Sequence, residues 1–208
     1  MKDFFEKLDE QKKERILNAA ITEFADKKYE DASTNNIVTA AQIGKGMLFH
    51  YFGNKKNLYL YLYRYVRAIM DEEIYSRIDC ESGNLPIILK QLARFKLETF
   101  KRHPSITGFI AQCNREMSPE VHDDIQKIRK ERSVTIREDI ICKNLDMRLF
   151  KPEFRDEKTI KLIRWAVDGY LSEIKSAYKG QNLEEFPVDE MMKDYDSYMD
   201  IILKAFYQ

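Results

Sequence analysis

The chain has 208 residues, enough for one large domain or two small ones, and with 44% hydrophobic residues it can bury a substantial core. Seven glycines and five prolines are few for this length and favour helices over a turn-rich β fold. The 35 basic and 35 acidic residues cancel, so the overall charge does not indicate a nucleic-acid partner.

The N-terminus and the cysteines point to a cytoplasmic protein. The opening sequence MKDFFEKLDEQKK is charged throughout and does not resemble a signal peptide. No apolar run approaches the ~18 residues of a membrane span, so we expect no membrane partner. Cys80, Cys113 and Cys142 are odd in number and far apart, which fits reduced thiols. We therefore expect no disulfide framework, no metal and no cofactor.

Helical periodicity begins near residue 10. Apolar residues at three- and four-residue steps predict a first helix over about residues 10–27. Ser33 is a candidate cap for a short second helix, TNNIVTAA, and Gly53 suits the end of a third helix at about Lys45–Phe52. Asn54 then caps a long fourth helix of roughly 36 Å, enough to bridge two domains.

Five further helices are predicted beyond residue 80, from apolar periodicity and from helix start signals at Pro86 and Ser118. Their ranges are 86–102, 105–117, 118–147, 156–179 and 188–207. The expected fold is therefore all-α, with about nine helices and no convincing strand.

Charge is distributed unevenly along the chain. From Ala32 to Met70 there is no Asp or Glu, although the chain contains 35 acidic residues. The same window holds five basic residues: Lys45, Lys55, Lys56, Arg64 and Arg67. A polyanion would tolerate such a segment. The alternative is an apolar stretch that simply needed no acids.

Residues 33–52 read as helix, tight turn and helix, the size of a helix-turn-helix whose second helix enters the major groove. On a helical wheel Leu48 and Phe52 pack inward. The opposite side holds Gly46, Met47, His50 and Tyr51, with Phe49 at the border. A glycine lets backbone approach DNA closely, Met and Phe can meet thymine methyls, and His and Tyr can donate to phosphates. Singly, these residues have plain structural alternatives; together they favour DNA binding.

The segment ILNAAITEFADKKYEDASTNNIVTAAQIGKGMLFHYFGNKKNLYLYL, within about residues 13–62, resembles the N-terminal domain of the TetR family of transcriptional repressors. The resemblance implies an all-helical homodimer that binds a palindromic double-stranded operator through its second and third helices. It also implies a C-terminal domain that binds an effector and releases the operator. The DNA contacts it implies are Ser33, Thr34, Lys45, Gly46, Met47, Phe49, His50, Tyr51 and Lys55.

The sequence departs from the family pattern at the turn. Phe49 stands where the family usually has Tyr, which leaves only apolar contact there. Gln42 replaces the usual turn glycine, at a cost of very roughly 1 kcal/mol if its φ is positive. Gly44 replaces the usual Ser cap and weakens the start of the third helix. The recognition surface itself is retained.

The predicted domains are a helix-turn-helix domain at 1–53 and a ligand-binding and dimerisation domain at 54–208. The last two helices have broad apolar faces, so two of them from each subunit can form a four-helix interface. The interface residues predicted there are Ile163, Val167, Leu171, Ile174, Tyr195, Tyr198, Ile202 and Phe206. An intrachain core is the alternative for each of them.

A small, largely apolar effector is predicted from aromatic and sulfur-containing residues on the middle helices. The candidate pocket residues are Phe95, Phe100, Phe109, Cys113, Met117, Trp165 and Tyr170. Plain core packing remains the alternative for every one.

An enzyme is disfavoured. None of the three histidines has an acid three residues before it, and metalloprotease, P-loop and Rossmann motifs are absent from the sequence. The predicted function is a ligand-responsive DNA-binding regulator. The alternative is a helical interaction module or small-molecule binding protein that does not bind DNA.

Overall fold

The computed structural model describes residues 2–136, 145–177 and 187–208, and within them the secondary structure is ten α-helices and no strand. The helices are α1 Lys2–Glu6, α2 Glu10–Asp26, α3 Thr34–Ala40, α4 Lys45–Phe52, α5 Lys55–Tyr75, α6 Leu85–Arg102, α7 Pro104–Arg115, α8 His122–Ile136, α9 Glu157–Ala177 and α10 Val188–Phe206. Short 3₁₀ turns cover Met147–Leu149 and Pro152–Phe154. The all-α class is confirmed, and α1 is a helix that the sequence reading missed.

Local signals set most helix ends. Asp9 caps α2, since its Oδ1 accepts hydrogen bonds from the N–H groups of Gln11 at 3.1 Å and Lys12 at 3.3 Å. Gly53 ends α4 with a φ of 78°, a conformation that favours glycine. The predicted start of α8 at Ser118 is wrong, because residues 118–121 form a turn whose Ser118 carbonyl accepts from His122 N–H. The prediction extends this helix toward Met147, and residues 137–144 of that range lie outside the described residues.

The chain forms two compact units. The first comprises the residues up to Glu73 together with Arg102–Val134, and the second comprises Ile74–Lys101 and the residues from Thr135 onward. These packing units differ from a division after residue 53, because α7 packs directly on α2. The functional division at residue 53 stays a prediction.

The core of the first unit is aromatic. Phe24 of α2, Tyr59 of α5 and Phe109 of α7 are fully buried. The ring of Tyr59 lies 4.9 Å from that of Phe24 and 5.3 Å from that of Phe109, both edge-on. These contacts explain why α7, distant in sequence, belongs to the same unit as the N-terminal helices.

The core of the second unit is built by α6, α9, α10 and the segment around Phe150. Phe150 and Tyr207 are buried with ring centroids 4.2 Å apart. The Tyr207 hydroxyl accepts the Leu85 N–H at 3.2 Å, which fixes the start of α6. Across the described residues, no helix is both long enough and apolar enough to cross a membrane.

Candidate nucleic-acid interface

The turn between α3 and α4 has the geometry that a helix-turn-helix requires. Gln42 has a φ of 56°. It is the only non-glycine residue with a positive φ in the part of the chain that the structure describes. The Gln42 N–H donates to Thr39 O at 3.2 Å and the Ile43 N–H to Val38 O at 3.0 Å. The condition stated for Gln42 is met: its φ is positive, which costs about 1 kcal/mol relative to glycine.

Recognition-helix candidate α4 buries one side and exposes the other. Leu48 and Phe52 are buried, as expected. Gly46, Met47 and His50 are exposed, and a Cβ added at Gly46 would meet nothing within 4 Å. Open space at Gly46 leaves room for another molecule to approach the backbone of α4. We call the row Gly46, Met47 and His50 the exposed α4 face.

The expected outward position of Tyr51 is wrong. Its side chain is only 6% exposed and lies edge-on to Phe5, with ring centroids 5.7 Å apart. The physical reason is α1, which supplies Phe5 as an aromatic partner on that side of α4. The adjacent Phe4 and Phe5 in an otherwise charged stretch were the available signal for a buried N-terminal turn. Phe49, placed at the border by the wheel, is half-buried.

The start of α3 depends on Glu23 of α2, a residue that sequence reasoning missed. Ser33 is the N-cap residue, but its side chain makes no capping hydrogen bond; its N–H donates instead to Glu23 Oε1 at 2.8 Å. Lys27 Nζ lies 2.8 Å from the same oxygen, and Asn36 Nδ2 lies 3.3 Å from both carboxylate oxygens. Burial by itself would raise the pKa of Glu23, but these hydrogen bonds outweigh it and lower the pKa below its usual value. Thr34, the first residue of α3, is half-buried.

The lysines after α4 contact their own chain. Lys55 Nζ donates to the Glu30 carbonyl at 3.1 Å and lies 4.8 Å from the centroid of the Tyr29 ring. Lys56 Nζ forms a 2.8 Å salt bridge with Asp124 of α8. Lys45, at the start of α4, is exposed. A phosphate at Lys55 would therefore have to compete with a carbonyl partner.

The candidate pocket residues fall into separate groups. Phe109 and Cys113 are in the core of the first unit, where burial raises the pKa of the Cys113 thiol to about 12. In the second unit, Phe95 and Phe100 are half-buried on α6, and Arg77 covers the Phe95 ring at 4.0 Å. Tyr170 donates its hydroxyl proton to Met191 O at 3.0 Å.

Met117 and Trp165 do not fit a pocket. Met117 is 73% exposed in the turn between α7 and α8, and Trp165 is 55% exposed on α9 beneath Lys161. The sequence suggests both because aromatic and sulfur-containing side chains suit a hydrophobic ligand, but exposure of this extent places neither in a core.

The candidate interface residues are also divided. Ile163, Val167, Tyr195 and Ile202 are buried in the core of the second unit, so their assignment to a dimer surface is wrong. They occupy the sides of α9 and α10 that pack within this chain. Ile174 and Phe206 are half-buried, whereas Leu171 and Tyr198 are exposed. Three further large apolar residues of α9 and α10 are exposed as well: Leu162, Trp165 and Ile201.

Residues 16–62 match the family described as bacterial regulatory proteins, tetR family. Residues 16–62 therefore carry the N-terminal segment that this family model describes. The matched residues run from α2 to the first third of α5 and include the whole α3–turn–α4 unit. The exposed α4 face therefore lies inside the segment that matches the family model.

A curated relative and several solved structures are similar to this chain. The HTH-type transcriptional repressor NicS of Pseudomonas putida is 25% identical over 103 residues, which cover 49% of this chain and 48% of NicS. The match thus spans about half of that relative. A TetR-like transcriptional regulator from Rhodococcus sp. RHA1 has a TM-score of 0.66 at 19% identity, covering 96% of this chain and 100% of that one.

A TetR family transcriptional regulator from Chloroflexus aurantiacus has a TM-score of 0.61 at 19% identity, covering 99% of this chain and 98% of that one. At such identities the structural similarity establishes a shared fold across nearly the whole chain. The proteins it resembles are described as transcriptional regulators or repressors, not as enzymes.

Proposed function

We propose that the protein is a sequence-specific transcriptional regulator that places α4 in the major groove of double-stranded DNA. The observation that carries the proposal is the exposed α4 face within the tetR-family segment. A helix of eight residues that leaves Gly46, Met47 and His50 uncovered presents side chains and backbone that its own unit does not use. The major groove is wide enough to admit such a helix.

Each exposed group has a chemical role in this arrangement. Gly46 allows close approach of the backbone, Met47 offers apolar contact to a thymine methyl, and His50 donates to a phosphate or base edge. Lys45 and the N-terminal end of α3, at Ser33 and Thr34, supply phosphate contacts. Phe49 contributes apolar contact at the border of the face. Tyr51 does not face the groove; its buried ring packs against Phe5 and helps to hold α4 in place.

Lys55 contributes to DNA binding by giving up its contact with a backbone carbonyl for a contact with a phosphate. Its ammonium group rests on the Glu30 carbonyl, and a phosphate would replace that neutral partner with a charged one. Lys56 has a carboxylate partner in Asp124, so a phosphate gains less there. Of the two lysines, Lys55 is therefore the stronger phosphate contact.

A homodimer is proposed through the outer sides of α9 and α10. Four large apolar side chains are exposed there: Leu162, Trp165, Tyr198 and Ile201. Leu171 lies nine residues after Leu162, about 180° around α9, and is outside this patch. Two copies of the patch brought together would bury the four side chains in an isologous four-helix interface. The two α4 helices would then read a palindromic operator about one DNA turn, or a multiple, apart.

Repression relieved by a small effector is the proposed mode of regulation. An effector that favours a DNA-incompetent spacing by about 1–3 kcal/mol would lower operator affinity about 5- to 150-fold. Phe95, Phe100 and Tyr170 in the second unit suit a largely apolar molecule. Such a regulator would work in the cytoplasm, where operator DNA is accessible.

The test is a salt titration of binding to duplex DNA, first random and then selected by the protein from a random pool. Affinity should fall steeply as salt rises, and selection should return a palindrome. His50→Ala and Met47→Ala should each weaken binding to the selected duplex about tenfold, with unchanged circular dichroism. Ile87→Ala, an exposed apolar control on α6, should bind like the parent. Salt-independent or undetectable binding would favour the helical interaction module instead.

A further inference from the structure

The N-terminal helix α1 packs against α4. Phe5 is only 1% exposed and sits among three rings: Tyr51 at 5.7 Å, Phe52 at 4.8 Å and Tyr61 at 5.7 Å between centroids. Two of these rings belong to the last residues of α4 and the third to α5. Phe5 therefore fixes the C-terminal end of α4 to the helix that follows it.

A second contact fastens the end of α1 to α5. The Tyr61 hydroxyl donates to Glu6 Oε1 at 2.9 Å, and burial together with this carboxylate raises the pKa of the Tyr61 hydroxyl. A five-residue helix has no stability of its own in water. Its position is consequently set by Phe5 and Glu6, and not by helix propensity.

Phe4, the neighbour of Phe5, has the opposite environment. Its side chain is 59% exposed, although it is one of the largest apolar side chains in the protein. Its ring lies 5.3 Å from the imidazole of His50, the last residue of the exposed α4 face. Phe4 thus extends the exposed α4 face beyond His50, where the next two side chains of α4, Tyr51 and Phe52, are buried.

We infer that α1 is part of the DNA-binding surface: Phe5 is a positioning residue that braces α4, and Phe4 is a contact residue that extends the exposed α4 face beyond His50. This inference rests on the proposed DNA-binding function. The occupant is double-stranded DNA, since the row is continuous with the exposed α4 face and α4 lies in the acid-free segment from Ala32 to Met70. An apolar ring at this place suits a deoxyribose or a thymine methyl.

The two roles predict different behaviour for neighbouring substitutions. Phe4→Ala removes an exposed ring and leaves the brace intact. It should lower affinity for the duplex selected by the parent about tenfold, because the ring would be buried against DNA. Amide hydrogen exchange in α4 should not change. Phe5→Ala removes the brace, so exchange in residues 45–52 should rise while exchange in α9 stays at the parent rate.

Two further variants separate bracing from general damage. Phe5→Ala should also bind the selected duplex more weakly, because α4 is no longer held in place. Phe5→Leu retains most of the buried apolar volume and should keep both slow exchange in α4 and duplex affinity. Ile87→Ala truncates an exposed apolar side chain of α6 and should match the parent in both measurements.

The outcomes are distinguishable. If the parent shows salt-dependent duplex binding and Phe4→Ala binds the selected duplex equally well, the contact role is overturned while the proposed function survives. If Phe5→Ala leaves exchange in α4 unchanged, the brace is overturned. If the parent binds no duplex, the DNA role of α1 falls together with the proposed function, whereas the exchange experiment still decides the brace.

Discussion

The Glu116 carboxylate accepts a hydrogen bond from the backbone N–H of Tyr29 at 2.8 Å, joining segments 87 residues apart in sequence. Its other oxygen accepts the N–H groups of Met117 at 3.0 Å and Ser118 at 2.9 Å. The Tyr29 hydroxyl in turn donates to Glu120 at 2.6 Å. The turn between α7 and α8 therefore holds the segment that leads into α3, and Glu116 is buried where it does so.

Glu116→Ala should destabilise the first unit strongly. The substitution leaves three backbone N–H groups without their acceptor at a buried site, and we expect a loss of about 2–4 kcal/mol in the free energy of unfolding. Urea denaturation measures it. Glu30→Ala, an exposed carboxylate next to Tyr29, is the matched control and should change stability by less than about 0.5 kcal/mol. Equal effects of the two substitutions would contradict the structural role of Glu116.

Glu23→Gln should reveal a pH-dependent contribution to stability. Since the folded pKa of Glu23 lies below its ordinary value of 4.5, its stabilisation is complete above pH 4.5 and is lost as pH falls through the folded pKa. The parent should exceed the variant by about 1–2 kcal/mol at pH 7, and the difference should shrink below pH 4.5. Thermal unfolding from pH 3 to 7 measures this. Glu14→Gln, on the exposed side of α2, is the control; its stability difference from the parent should not change with pH.

Gln42→Gly should stabilise the protein by about 0.5 kcal/mol. Glycine relieves a positive φ that costs about 1 kcal/mol, and the added freedom of the unfolded chain offsets part of that gain. A β-branched residue at the same place, in Gln42→Val, should destabilise instead. Gln126→Gly within α8 is the control and should lower stability, since glycine in a helix interior costs about 1 kcal/mol. Destabilisation by both glycine substitutions would argue against strain at Gln42.

Ile201→Asp should dissociate the proposed dimer. Ile201 is 61% exposed in the single chain, so an aspartate there leaves the fold intact but places a charge in the interface. We expect the dimer dissociation constant to rise about 30-fold or more, measured by light scattering or analytical ultracentrifugation over a dilution series. Ile87→Asp, on α6, should leave the mass of the dimer in solution unchanged. A parent that is monomeric at every concentration would rule out this interface.

The helices from α2 to α5 are predictable from the sequence because their signals are local. Apolar periodicity, the glycine at position 53 and the break before Lys55 lie within a few residues of the structure they determine. The same holds for the inward Leu48 and Phe52. For Gln42 the sequence supports only a conditional expectation, because glycine is the usual residue at this position in the family that the segment resembles.

The remaining features depend on partners distant in sequence. Tyr51 is internal only because Phe5 meets it, and the start of α3 is held by a carboxylate from α2. On α9, both Ile163 and Leu162 are apolar, so periodicity alone does not distinguish the side that packs within the chain from the side left open. Tertiary contacts decide each of these cases.

The packing of Phe5 against Tyr51 also has an evolutionary consequence. If a relative replaces the aromatic ring at position 5 with a small or polar side chain, position 51 loses the neighbour that shields it. The two positions should therefore covary among related chains, with a hydrophilic residue at 51 wherever the ring at 5 has been lost.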